Sequence, residues 1–181
     1  MRKSIKLTFI IISSVLIIAF GLKINGLFKF HDQFVLLSNQ LLEAKTSEVV
    51  ISLEEILDEG EIEKKDLNTI SQNLHSLTAK LLEIHSYIEY RSNESIKGYD
   101  YQLDNVRVNL LKIRESDSLN EGRYDISSDK DARKSFQHAL DEFNNLLDTV
   151  KNQNGYKAMK NYYDTSTELN IRKLDLLATE F

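Results

Sequence analysis

Apolar residues recur along most of this chain with the period of a helix. Leu67, Ile70, Leu74, Leu77, Leu81, Ile84 and Ile88 follow one another at spacings of 3, 4, 3, 4, 3 and 4, which draws a single stripe down one helix. With 41% of the residues hydrophobic, seven chosen positions would all be apolar by chance about 0.002 of the time. The stripe therefore predicts a helix, with Asp66 as its N-cap and Asn68, Ser71, Gln72 and Lys80 on its exposed side.

The same logic places the other elements. Phe34, Leu37 and Leu41, then Val49, Leu53 and Ile56, predict a helix that runs to about Asp58 and stops at Gly60. Tyr99, Leu103, Val106, Leu110 and Ile113 form a further stripe, either set apart by residues 92–95 and Gly98 or joined to the previous helix through a stutter. Residues 116–128 lack a sustained period and read as the longest loop. Ser128, with Asp131 three residues on, resembles an acidic capping box and opens a helix through Phe136, Leu140, Phe143, Leu147 and Val150. Residues 152–155 stop it, and a last helix reads through Tyr156, Met159 and Tyr163, then Ile171, Leu174, Ala178 and Phe181.

A helix with one apolar stripe cannot bury it alone, so the stripes must face one another. Proline is absent and glycine occurs six times, which leaves helix interiors uninterrupted and hairpin punctuation scarce. The expected fold is all-α: an N-terminal membrane-anchor helix, residues 1–30, followed by an antiparallel four- or five-helix bundle with coiled-coil-like seams, residues 31–181. Heptads alone do not say whether the partner of the stripe from Leu67 to Ile88 is in the same chain or another, so an intermolecular coiled coil and a homo-oligomer are alternatives, but several independent seams within one chain favour the bundle.

The N-terminus changes the picture from a plain bundle to an exported one. Arg2, Lys3 and Lys6 precede Leu7 to Leu22, sixteen residues without a charge. Sixteen helical residues cover about 24 Å against a hydrocarbon core of about 30 Å. Ile24, Leu27, Phe28 and Phe30 extend the apolar stretch, and Lys6 and Lys23 can snorkel to the two interfaces. The basic flank predicts a single-pass protein with a cytoplasmic N-terminus and an extracytoplasmic C-terminal domain. A signal peptide cleaved after Gly21 is the competing reading, since Ala19 and Gly21 are small; the chain would then be secreted.

Residues 1–30 hold five basic side chains and no acid, so the other 151 residues carry 18 basic against 28 acidic ones, a formal −10. Such a domain lacks the cationic patch that nucleic acid requires, so no nucleic-acid partner is expected. Without cysteine there is no disulfide framework, thiolate metal site or cysteine nucleophile.

Candidate chemistry is sparse. His85 with Glu89 and His138 with Glu142 stand at i, i+4, a spacing that could grip one metal but equally makes surface hydrogen bonds. Residues 117–128 put Gly122 where a calcium loop would, yet Leu119 and Ser128 occupy ligand positions. Neither pattern carries a metal or cofactor expectation, and no nucleophile or phosphate-binding motif leads to an enzyme. Two clusters remain. Glu54, Glu55, Asp58, Glu59, Glu61 and Glu63 concentrate charge that would attract a basic partner, and Tyr87, Tyr90, Tyr99 and Tyr101 would line a ligand pocket between helices. The expected function is a non-enzymatic, membrane-tethered scaffold that binds or positions another envelope or membrane protein. A small-molecule-binding sensory bundle acting with a separate signalling partner is the alternative.

Overall fold

The computed structural model describes the backbone of residues 2–92, 103, 106–108 and 123–169, with the side chains of residues 13–91, 103, 106–108 and 123–169. Helix α1 spans Arg2–Glu59, strand β1 Glu61–Glu63, helix α2 Lys64–Ser92, strand β2 Arg123–Asp125, helix α3 Lys130–Lys151 and helix α4 Gly155–Glu168. The chain is mostly helical, with a long apolar N-terminal helix, and it divides into two compact units, Met1–Leu37 and Ser38–Phe181.

In the first unit, α1 is long and apolar enough to cross a membrane by length and composition. Val15, Leu16, Ile17, Ile18, Phe20 and Leu22 are all exposed, so the rest of this chain does not cover the described part of the apolar run.

In the second unit, the α2 stripe is internal. All seven residues from Leu67 to Ile88 are buried, so this chain itself covers the face that an intermolecular coiled coil would need. Of the residues expected on the exposed side, Gln72 is exposed, Asn68 is half-buried, Lys80 is half-buried and ion-paired with Glu83, and Ser71 is buried. Phe136, Leu140, Phe143, Leu147 and Val150 of α3 are likewise buried. Helix α3 packs on α4, and α4 on α2. Leu103 and Val106 are helical and buried; the rest of their stripe, the possible break after Ser92 and residues 171–181 lie outside the described residues.

Helix α1 corrects the expected register. Leu37 is exposed, and Phe34 and Leu41 are half-buried, whereas the second unit buries Ser38, Leu42 and Thr46 before rejoining the expected stripe at Val49, Leu53 and Ile56. Two of the inward positions carry small hydroxyl side chains, so hydrophobicity pointed to the neighbouring row instead. At the end of the helix, Gly60 has φ +72° and donates its N–H to Ile56 O at 3.0 Å. Its carbonyl accepts from Ile126 N at 2.9 Å, and an added Cβ would sit 2.0 Å from Ser127 Oγ, so glycine is required by both φ and space.

Two short strands modify the all-helical expectation, and β2 falls inside the segment read as a loop. They pair antiparallel, with Glu61 opposite Asp125, Ile62 opposite Tyr124 and Glu63 opposite Arg123. The period of two buries Ile62 completely and turns both glutamates outward. Asp66 is not the N-cap of α2. It sits in the first turn and accepts the Glu63 N–H at 2.9 Å, the back-reaching half of a capping box.

The cap of α3 is Asp129, not Ser128. Its carboxylate accepts the N–H groups of Asp131 and Ala132, each at 2.9 Å, and the Tyr124 hydroxyl at 2.8 Å. The bond from Ala132, then that from Tyr124, hold its pKa below the ordinary 3.8. A lowered carboxylate pKa stabilises the fold above the unfolded value, and that contribution fades as pH falls through the folded value. Asp129→Asn keeps a capping oxygen but cannot titrate, so it should change stability at neutral pH by no more than about 1 kcal/mol. It should also remove part of the acid destabilisation between about pH 5 and pH 2. Urea titrations of both proteins across that range measure the difference; parallel profiles would remove Asp129 from the acid response.

Candidate functional site

The end of α1 gathers the acidic residues, but the fold divides them into two groups. Glu54, Glu55, Asp58 and Glu59 are exposed and form no ion pair with another described residue. Glu54 with Asp58 and Glu55 with Glu59 are i, i+4 neighbours, so the carboxylates repel one another along the helix surface. Asp58 and Glu59 also stand in the last turn, where the macrodipole is negative and the turn itself holds no basic residue, though Glu59 is near enough to Lys65 and Arg123 to raise the pKa of both.

Glu61 and Glu63 belong to the fold instead. Both project from one side of β1 toward Arg123, whose guanidinium lies 2.9 Å from Glu61 Oε2 and 2.5 Å from Glu63 Oε1. Lys65 Nζ holds the other Glu63 oxygen at 2.7 Å. The Lys65 hydrogen bond, with the nearby Arg123 charge, lowers the Glu63 pKa, and the Glu61 bond raises that of Arg123. These two glutamates clamp the strand pair, and their charge is largely neutralised locally.

The tyrosine cluster is less coherent. Tyr87 is half-buried with its ring 6.4 Å from that of Tyr156, and Arg91 stacks 4.5 Å over the Tyr156 ring. Tyr90 is 89% exposed and joins no wall. Tyr99 and Tyr101 lie outside the described residues.

Two other tyrosines lie inside the fold. Tyr163, on the expected stripe of α4, and its neighbour Tyr162 are both buried. The Tyr162 hydroxyl meets Thr46 Oγ1 at 2.5 Å, so a polar pair crosses the core from α4 to α1. The Tyr163 hydroxyl lies 2.5 Å from His85 Nδ1, and His85 Nε2 lies 3.3 Å from Glu89. Burial, then the charges of Asp164 and Glu89, raise the Tyr163 pKa and keep the phenol protonated. The His85–Glu89 half was legible as an i, i+4 pair; the phenol comes from 78 residues away.

No family model, curated protein or solved structure matches this chain. Function rests on the side chains alone. The Glu89–His85–Tyr163 line could relay a proton, but it shares no residue with the open groove of ≈ 470 Å³ lined by Ser71, Gln72, His75, Ser76 and Arg107. His138 Nε2 lies 3.8 Å from Glu142, a loose surface pair. Among the described residues, no three histidine or carboxylate side chains converge on a point that could hold a metal. What the arrangement offers most directly is a fixed, exposed anionic turn.

Proposed function

We propose that this chain is a membrane-tethered, extracytoplasmic, non-enzymatic interaction protein whose acidic turn receives a basic surface of another envelope or membrane protein. In this reading residues 1–30 anchor the chain with its N-terminus in the cytoplasm, as the basic flank suggests. Residues 31–181 close into an antiparallel four- or five-helix bundle with coiled-coil-like seams, which the buried stripes of α2 and α3 support. The bundle gives the turn a rigid base.

The observation that carries the reading is the local cost of Glu54, Glu55, Asp58 and Glu59. Four exposed carboxylates crowd the end of α1, two of them against the helix dipole and with Glu59 within the field of Lys65 and Arg123, while the adjacent Glu61 and Glu63 are ion-paired. A fold that neutralises two acids and leaves four exposed beside them breaks a local stability rule, as binding surfaces do. A basic partner would supply the missing counter-charge, raising the association rate and making it salt-sensitive.

The test is the combined variant Glu54→Gln, Glu55→Gln, Asp58→Asn, Glu59→Gln. Its thermal stability should rise, by about 1 kcal/mol, because repulsion is removed. In native membranes its cross-linking to neighbouring proteins should fall about tenfold or more, and the wild-type adducts should weaken from low to physiological salt. A variant that is less stable than wild type and keeps all its neighbours would overturn the reading. Stoichiometric binding of a small metabolite, without any protein neighbour, would replace it with the sensory alternative.

A further inference from the structure

The row of α1 that hydrophobicity favoured is only partly covered by the fold, with Leu37 exposed and Phe34 and Leu41 half-buried. In the first unit Leu27, Phe30 and Leu37 are 58%, 61% and 62% exposed, and Phe34 stacks on Phe30 with ring centroids 6.4 Å apart. Leu27, Phe30, Phe34 and Leu37 are spaced 3, 4 and 3, which are successive a and d positions of a heptad; Leu41 and Ala44 take the next two in sequence.

We propose that this row is the seam of a parallel homodimer, in which two copies of the chain pair along α1 from the outer end of the anchor, at Leu27 and Phe30, into the segment that follows it. The proposal rests on the membrane-anchor reading, because anchoring gives both copies one orientation and brings identical residues into register.

Charge placement favours a second copy as the occupant. With Leu27 at position a, the residues beside the seam at e and g, as far as Leu41, are Gly26, His31, Gln33, Ser38 and Gln40, none of them a lysine, arginine or carboxylate. Lys29, Asp32 and Glu43 fall at c and f, away from the partner. A symmetric dimer sets every residue against itself, so one fixed charge in the seam would repel its own copy. The self-compatible stretch is bounded at both ends, with Lys23 at position d one turn before Leu27 and with Lys45 and Glu48 at e and a, so facing like charges confine the pairing to the residues between them. Between Leu27 and Leu41, Phe28 and Leu36 are exposed apolar residues that this pairing leaves uncovered.

The size of the seam sets the conditions. Four to six side chains per copy fall short of the roughly 800 Å² per partner typical of a stable free-standing interface. Confinement to one membrane raises the effective concentration and offsets that shortfall.

The chain has no cysteine, so single cysteines report the geometry cleanly. Across helices packed 8–10 Å apart, facing d positions bring their Cα atoms to about 5 Å, within disulfide range, while f positions stand about 14 Å apart. Full-length Leu37→Cys and Phe30→Cys should therefore form an oxidised homodimer in membranes, at least about tenfold more than Asp32→Cys. Mass spectrometry of the adduct establishes that both halves are this chain. Equal cross-linking in the three variants, none in Leu37→Cys and Phe30→Cys, or an adduct with a different protein would overturn the seam. Alkaline carbonate extraction reads the anchor separately. A chain retained by the membrane but not cross-linked refutes the dimer alone; a chain that is released refutes the anchor and, with it, the basis for pairing.

Discussion

Replacing Leu77 by aspartate should unfold the second unit. Leu77 is wholly buried in the middle of the α2 stripe, with Leu74 and Leu81 one turn away on either side and equally enclosed. The substitution removes the transfer energy of a buried leucine, about 2 kcal/mol, and inserts a carboxylate without a cation. An unpaired buried charge costs several kcal/mol more, or takes up a proton at a similar penalty. Since domains are stable by about 5–15 kcal/mol, the sum approaches the whole of what is available. Gln72→Asp introduces the same group at an exposed position of the same helix and should cost no more than about 1 kcal/mol. Thermal unfolding followed by circular dichroism compares the two; similar midpoints would mean that the stripe does not lie in the core.

Tyr162→Ala should be the next most damaging change, at about 4 kcal/mol, since it empties the space of one of the largest fully buried side chains. Tyr162→Phe separates volume from chemistry. It keeps the ring but leaves the Thr46 hydroxyl without the phenol 2.5 Å away, which should cost about 1–2 kcal/mol. Adding Thr46→Val to Tyr162→Phe removes the stranded group and should recover part of that loss. Urea denaturation of the four proteins of this cycle, wild type, each single variant and the double, measures each step. Additive losses in the double variant would show that the two hydroxyls do not act as a pair.

The Leu77 and Tyr162 substitutions probe different kinds of information. The α2 stripe is a repeat within 22 consecutive residues, and any helix built from them must gather those side chains on one face. The helical continuation of α1 to its stop at Gly60, the stripe of α3 and the break before Gly155 were legible for the same reason. So was the apolar N-terminal run, because its length and lack of charge are local properties.

The candidate site was legible only in part. The acids near the end of α1 stood out as a cluster, but the separation of Glu61 and Glu63 from the other four depended on Arg123, 62 residues from Glu61. A carboxylate that clamps a strand pair and one that faces solvent are the same letter in a sequence. The Asp129 cap lies one residue beyond the expected Ser128 because both are good capping types, and backbone geometry chose between them. The polar contacts of Tyr162 and Tyr163 left no local signal, since their partners Thr46 and His85 come from other helices.

The sequence by itself determined that the described chain is built from long helices, where several of them stop, and that the first is apolar enough to span a membrane. Periodicity is a local property, and a helix must express it. The tertiary structure alone decided which face of α1 enters the core. Ser38 and Thr46 occupy that face, and a hydroxyl in the core depends on the surface it meets, such as the Tyr162 phenol 116 residues away from Thr46. Of the apolar row beside it, Leu37 was left exposed and Phe34 and Leu41 half-buried, because burial follows the shape and hydrogen bonding of the facing helix as well as hydrophobicity.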